Sequence, residues 1–448
     1  MGIMKNRKGI GALRTAGLLV AAGALAAACS SGGSSNSSST TTSGGSSGGK
    51  VDASLALQYT GGKAGAADNS MSPINIGYIN QQYGSPSYPE NTAGAQLAVN
   101  YINSQLGGIQ GHPIKLVSCY VATEEDGQKC GTQMLNDSTI KLVVTGTLVV
   151  GNDSLYKVLN GQKPLIIGNG LTASDFSQTA AETYMPGAPG TVSGMAKWLV
   201  DGGLGKSVHT VAVVATNDAG ATASAKILFA PPLQKAGITV KEVFISPTAQ
   251  GADVASAIKA AGGATADVFV PITPVQGCIA VYDALKSLGV HPTVLTTGLC
   301  FGTPLIQHLG GTFPNGWYFG AYGVNYFVPA QKNVPASEQL AQYQDVVKKY
   351  NPTMEYTGFA GPTYGNFMTI AQIYNKLGPD ATQAQIGDAV KNFAGPQWGI
   401  PGTPVACGKI SSLFPTLCVG QMGIEQFKDG KWIPIADAYN NKLINAFG

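Results

Sequence analysis

The 448-residue chain is sparsely charged, with 27 Lys+Arg against 24 Asp+Glu, and it carries 60 glycines. Four of the cations (Lys5, Arg7, Lys8, Arg14) fall in the first 28 residues without an acid, so 23 basic residues face 24 acidic ones beyond that point. That balance offers no basic patch and excludes nucleic acid as a partner.

The N-terminus comes first. A basic n-region is followed by an apolar run, Ala16 to Ala28, too short to span a bilayer as a mature helix. Leu25-Ala26-Ala27-Ala28-Cys29 resembles a bacterial lipobox, which implies cleavage before Cys29 and a lipid on that residue. The alternative is an ordinary signal peptide cut after Ala-x-Ala. Ser30 to Gly49 contain only Ser, Gly, Thr and one Asn, so they cannot bury a core and read as a flexible spacer of roughly 25 Å reach. The formal G-x-S-x-G at Gly44–Gly48 lacks the strand and helix a nucleophile elbow needs. The expected division is a signal peptide over 1–28 and a lipidated tether over 29–72. Lobe 1 is expected over 73–188 plus 325–395, and lobe 2 over 189–324 plus 396–448.

Short β-branched runs then alternate with amphipathic stretches, as in parallel sheets with helices on both faces. The predicted strands are Ile74–Ile79, Ile114–Ser118, Leu142–Thr145 and Leu165–Ile167. Helices Ala93–Leu106, Gly127–Leu135 and Asp153–Leu159 lie between them. After a turn at Pro186–Pro189, a second series has strands Val211–Ala215, Val240–Ile245, Val268–Ile272 and Val294–Thr297. Its helices are Ala221–Lys235, Val254–Ala261 and Cys278–Leu288. Helices Ser337–Tyr350, Tyr364–Leu377 and Thr382–Phe393 and a hairpin around Lys428-Asp429-Gly430 complete the chain. The fold class is α/β, two doubly wound lobes in series.

Beyond Cys29 the six cysteines form three local pairs, Cys119/Cys130, Cys278/Cys300 and Cys407/Cys418, spaced 11, 22 and 11 residues. An exported chain meets an oxidising compartment, so three local disulfides are expected. No C-x₂-C occurs and the four histidines are scattered, which excludes a metal site of ordinary spacing. No motif calls for a cofactor.

Several motifs together resemble the type I periplasmic binding proteins, in particular the leucine/isoleucine/valine-binding branch that serves ABC importers. They are Ala93-Gly94-Ala95 through Ile102-Asn103, the turn Gly107-Gly108-Ile109-Gln110-Gly111, Cys119 at a strand end, Thr297-Gly298-Leu299-Cys300, and the hairpin Gly423 to Trp432. The resemblance runs from about Ile74 to the C-terminus. It implies two lobes joined by three crossovers, near Glu182–Gly190, Tyr318–Phe327 and Phe393–Gly402, closing on a ligand by hinge motion. It also implies an ABC permease as partner.

In such sheets ligands collect at the carboxyl ends of the strands. The first of those loops offers Tyr83, Ser85 and Tyr88 as aromatic walls with hydroxyl tips. Thr147, Gly151 and Asn152 lead into a helix whose free amides could hold a carboxylate, although Val149 and Val150 stand where the family carries hydroxyls. Asn169, Gly170 and Thr172 follow the fourth strand; this stretch formally fits G-x-G-x-x-A, but a dinucleotide fold wants that motif after its first strand. The second lobe contributes Asn217, Asp218, Thr273, Gln276 and Leu299, and the second crossover Tyr322. The family's ammonium-pairing acid is missing at Leu299-Cys300, and beyond the signal peptide the chain has no arginine for bidentate carboxylate binding. These features describe a small ligand with a hydrocarbon or aromatic body and at most one charge. The expected protein is a monomeric, lipid-anchored, extracytoplasmic binding protein without catalytic turnover. A hydrolase is the competing class, with Glu124-Glu125-Asp126 its only acidic cluster; a ligand sensor of the same fold is the third reading.

Overall fold

The computed structural model describes residues 51–322, 325–399 and 405–448. The proposed signal peptide, Cys29 and the spacer lie outside the described residues.

In lobe 1, β1 (Ile74–Asn80), β2 (Ile114–Tyr120), β3 (Val143–Thr147) and β4 (Leu165–Asn169) form a parallel sheet in the order β2-β1-β3-β4. In lobe 2, β5 (Thr210–Thr216), β6 (Thr239–Ile245) and β7 (Val268–Ile272) are parallel in the order β6-β5-β7. A single bridge, Phe269 to Val294, carries that sheet into β8 (Leu295–Thr297) and β9 (Tyr318–Ala321). The antiparallel strands β10 (Gln421–Lys428), β11 (Lys431–Ala436) and β12 (Ile444–Asn445) follow. In both lobes the first strand sits beside both the second and the third, so each sheet has a topological switch point where strand-end loops diverge.

The eight predicted strands are present within two residues. The central ones were legible as apolar runs buried on both faces, such as Val143–Thr147, buried throughout, while the outer strands Ile114–Tyr120 and Thr239–Ile245 are only partly buried. Helix Pro89–Gln105 packs on helix Ala360–Leu377 around Tyr101, Ile102, Phe367 and Ile370. All three cysteine pairs are joined as disulfides, with Cα separations of 5.5, 5.8 and 3.9 Å.

Four expectations need correction. The tether does not extend to 72: Ser54–Thr60 is a helix lying on helix Ala360–Leu377. Its Tyr59 ring meets Trp398 edge-on at 5.0 Å, and its hydroxyl donates to Pro396 O. The amphipathic signal there, Leu55, Leu57 and Tyr59 against lobe 1, is too short to stand out beside the Gly/Ser run. The turn at Pro186–Pro189 is instead the start of helix Gly187–Val200, with Pro at the tolerated N-terminal position. Residues 396–399 and 405–419 join lobe 1 and not lobe 2. Trp398, Val405, Cys418 and Val419 are buried in its core, and Leu417 bridges Thr183, so the third crossing comes at Gly420. Finally, helix 221–235 is interrupted by a π-turn, Ser224–Phe229. Pro231 and Pro232 follow at once and cannot donate backbone bonds.

Candidate functional site

The carboxyl ends of β5, β7 and β8 carry Thr216, Thr273 and Thr297, and all three line a chamber between the lobes. Lobe 1 and the crossovers close it with Tyr88, Leu171, Tyr322 and Phe359. The space is about 520 Å³, part of it open to solvent. The walls are apolar and the polar groups few, the usual make-up of a small-molecule site. Tyr88 meets Phe359 edge-on at 5.8 Å, and Tyr322 lies 6.4 Å from the same ring. The hydroxyls of Thr191 and Thr297 are buried without a hydrogen-bond partner. Among the described residues Asp218 is the one charged side chain lining the chamber. Its Oδ1 caps the following helix by accepting from Ala221 N at 2.9 Å, and its Oδ2 accepts from Thr216 Oγ1 at 2.5 Å. Burial pushes the Tyr88 phenol far up, and the charges of Asp218 and Glu90 push the same way.

The lobes touch across this cleft. A Cβ on Gly220 would stand 3.0 Å from Val149 Cγ1 and 3.3 Å from Leu171 Cβ, so any larger residue would press the lobes apart by a few tenths of an ångström. On the other side, Thr303 N donates to Thr357 Oγ1 at 3.1 Å.

Of the residues expected at the site, Tyr88, Asp218, Thr273, Leu299 and Tyr322 are brought together here. The others lie elsewhere. Tyr83 is 60% exposed and packs edge-on against Tyr120, while Ser85, Asn217 and Gln276 are exposed. Thr147 and Asn169 face inward, bound to each other and to Asn91: Asn91 Oδ1 accepts from Thr147 Oγ1, Asn169 Nδ2 and Thr363 Oγ1 at 3.3, 3.1 and 2.7 Å. Asn152 Nδ2 donates to Thr172 Oγ1 and Asp175 Oδ1, inside the capping box that Thr172 and Asp175 make. Gly170 O accepts from Ala188 N.

The expected carboxylate site at the Gly151 helix terminus is filled by the chain itself. Glu124 Oε2 accepts from Gly151 N at 2.7 Å and its Oε1 from Ser154 N at 2.8 Å. Gln81 Oε1 takes the amides of Val149 and Val150. Gly127 makes this possible, because a Cβ there would lie 1.8 Å from Gly151 O. Glu124 therefore belongs to a helix cap and not to a catalytic cluster.

Sequence reasoning missed Phe359, Thr191, Ser224 and Thr297 in the chamber. Thr297 was visible as the last residue of a strand; the rest come from helix starts hidden by Gly and Pro. It also missed Glu90, in the first turn of helix Pro89–Gln105 with its side chain against Gly358. Burial raises the Glu90 carboxyl to about 7, against a backbone hydrogen bond and with some help from Glu355.

A two-lobed α/β fold with its cleft at the strand ends has a counterpart in sequence: the profile described as periplasmic binding protein matches residues 73–405. The chain belongs to the periplasmic binding protein family. No curated protein sequence matches. Among solved structures, this binding protein is similar to a leucine-binding protein from Thermotoga maritima, with 13% identity and a TM-score of 0.63 over 83% of this chain and 99% of that one. It also resembles a fatty acid ABC transporter substrate-binding protein from Thermomonospora curvata, with 17% identity and a TM-score of 0.63 over 87% and 99%. A third likeness is to an ABC transporter solute-binding protein from R. palustris in complex with benzoate, with 14% identity and a TM-score of 0.62 over 82% and 96%. At these identities the likeness is one of fold.

Proposed function

We propose that this periplasmic binding protein is the extracytoplasmic receptor of an ABC importer, anchored by a lipid on Cys29, monomeric, and releasing its ligand unchanged. The ligand is a small, largely apolar molecule of the branched-chain or aromatic amino acid class, or a related amide. The observation that carries this reading is the chamber itself. Aromatic and aliphatic walls surround a few threonine hydroxyls, one carboxylate lines it, and no lysine does. A free carboxylate would meet Asp218 with no cation to offset it, so uncharged or ammonium-bearing ligands are favoured over simple acids. Burying each CH₂ of their body contributes about 0.8 kcal/mol. The structures similar in fold include a leucine-binding protein, a fatty acid transporter's receptor and a benzoate complex, ligands that all carry substantial hydrocarbon.

A thermal-shift screen tests it, since a ligand that binds only the folded state at a hundred times its Kd adds about 2.7 kcal/mol. Leucine, phenylalanine or phenylacetamide should raise the melting temperature, and glutamate should not. A shift with glutamate and none with the apolar set would overturn the reading. Mass spectrometry of a loaded sample should recover the ligand intact.

A further inference from the structure

Behind the cleft chamber, on the side of the crossovers, lies a second, narrow one, also partly open. The two share Gly298, Leu299, Tyr322 and Phe359 as a common partition. Two connections between the lobes contribute walls, Met185 from the first and Tyr322 and Tyr326 from the second, and Trp398 closes it from the core of lobe 1. Among the described residues no charged side chain lines it.

Two of its lining residues carry unanswered polar groups. Tyr364 is fully buried and Trp398 is 2% exposed, yet neither the Tyr364 hydroxyl nor Trp398 Nε1 has a hydrogen-bond partner. Their neighbours are satisfied: the Tyr343 hydroxyl donates to Tyr356 O at 2.7 Å. Leaving buried polar atoms unpaired costs stability, and indole N–H can only donate. An occupant that answers both must bring an acceptor oxygen. A carboxylate is a poor candidate, because nothing in the chamber offsets its charge.

We propose that this chamber is the second half of a bipartite ligand site, taking the aromatic or hydrocarbon tail of an elongated, uncharged-tailed ligand and hydrogen-bonding a carbonyl, phenol or ether oxygen at its end. The inference rests on the cleft chamber holding the ligand's other end. The partition consists of two aromatic rings, one leucine side chain and a glycine, so passage needs side-chain rotation and no refolding. A ligand lying through it would touch two crossovers and the core of lobe 1 at once, and its length would bear directly on the closed arrangement of the lobes.

The test is calorimetry with three amides: phenylacetamide, 4-phenylbutanamide and 4-(4-acetylphenyl)butanamide. Each added CH₂ should tighten binding about fourfold once the tail enters the chamber, and the acetyl oxygen should add about fivefold to tenfold. Tyr364→Phe should abolish the acetyl gain and leave phenylacetamide binding unchanged. Ala321→Leu, which fills the chamber from β9, should weaken the two long amides tenfold or more and spare the short one. The inference is overturned if the long amides bind no tighter than phenylacetamide, or if Tyr364→Phe keeps the acetyl gain. If none of the three binds, the reading of the cleft falls and this inference falls with it; binding of phenylacetamide alone sinks only the second chamber.

Discussion

Lobe 1 and lobe 2 both end their parallel strands in small polar residues, but they use them differently. In lobe 1, Asn80, Thr147 and Asn169 turn inward and bond within the protein, two of them through Asn91 Oδ1, with Asn169 Oδ1 left unpaired, and Asn80 through Tyr88 O, Thr92 Oγ1 and Thr147 N. In lobe 2, Thr216, Thr273 and Thr297 face the cleft, and Thr297 has no partner of its own. The same residue types at equivalent ends of similar sheets thus brace one lobe and present a binding surface on the other. Thr216 and Thr273 face the cleft while bonded to Asp218 Oδ2 and Cys278 Sγ, so of these three Thr297 is the one whose hydroxyl is left for a ligand.

The hardest blow to the braced side is Asn91→Ala. It removes the acceptor of three buried donors, and at about 1–3 kcal/mol for each buried group left unsatisfied, partly relieved by relaxation, a loss of about 3–4 kcal/mol is expected in urea unfolding. Ligand affinity of the folded fraction should stay within twofold. A variant of native stability with weak binding would reverse the comparison.

On the open side, Thr297→Val should do the opposite. Removing an unpartnered buried hydroxyl leaves the unliganded protein as stable or slightly more so, while affinity falls about fivefold to tenfold for the loss of one ligand hydrogen bond. Differential scanning fluorimetry with and without ligand separates the two effects. Loss of stability without loss of affinity would place Thr297 with the braces.

A step of similar or smaller size comes from Glu124→Gln, which weakens the internal cap on the Gly151 helix terminus. About 1 kcal/mol of stability should be lost, and high concentrations of acetate should restore part of it. Unchanged stability would mean that these amides do not need the carboxylate.

The mildest test uses pH. The Glu90 carboxyl is raised to about 7, so the folded protein holds a proton that the unfolded chain releases near its ordinary value. The stability this contributes is fully present below about 4.5 and is lost as pH rises to about 7. Glu90→Gln should flatten that part of the melting-temperature profile between pH 5 and 8. Burial raises Glu182, Asp175 and Glu425 in the same direction, so the difference between variant and parent is the readout. Parallel profiles would show that Glu90 is not held protonated.

By itself the sequence determined the strand series, the paired lobes and the local cysteine pairs, because each depends on short-range pattern. Val143–Thr147 needs only its own run of β-branched residues, and Cys119 and Cys130 stand 11 residues apart on adjoining elements. It also marked Tyr88, Asp218, Thr273, Leu299 and Tyr322 by their positions at strand ends and a crossover. The tertiary structure alone decided which polar groups were left for a ligand. Thr147 resembles Thr297 in type and position, and they differ because Asn91, 56 residues away in the chain, reaches Thr147 while Thr297 Oγ1 is left unpaired. Glu124 fills the Gly151 helix terminus from 27 residues off, through a packing that Gly127 permits. Trp398 and Tyr364 line one chamber together with the first two crossovers, and such meetings of distant segments leave no periodicity in any one stretch of sequence.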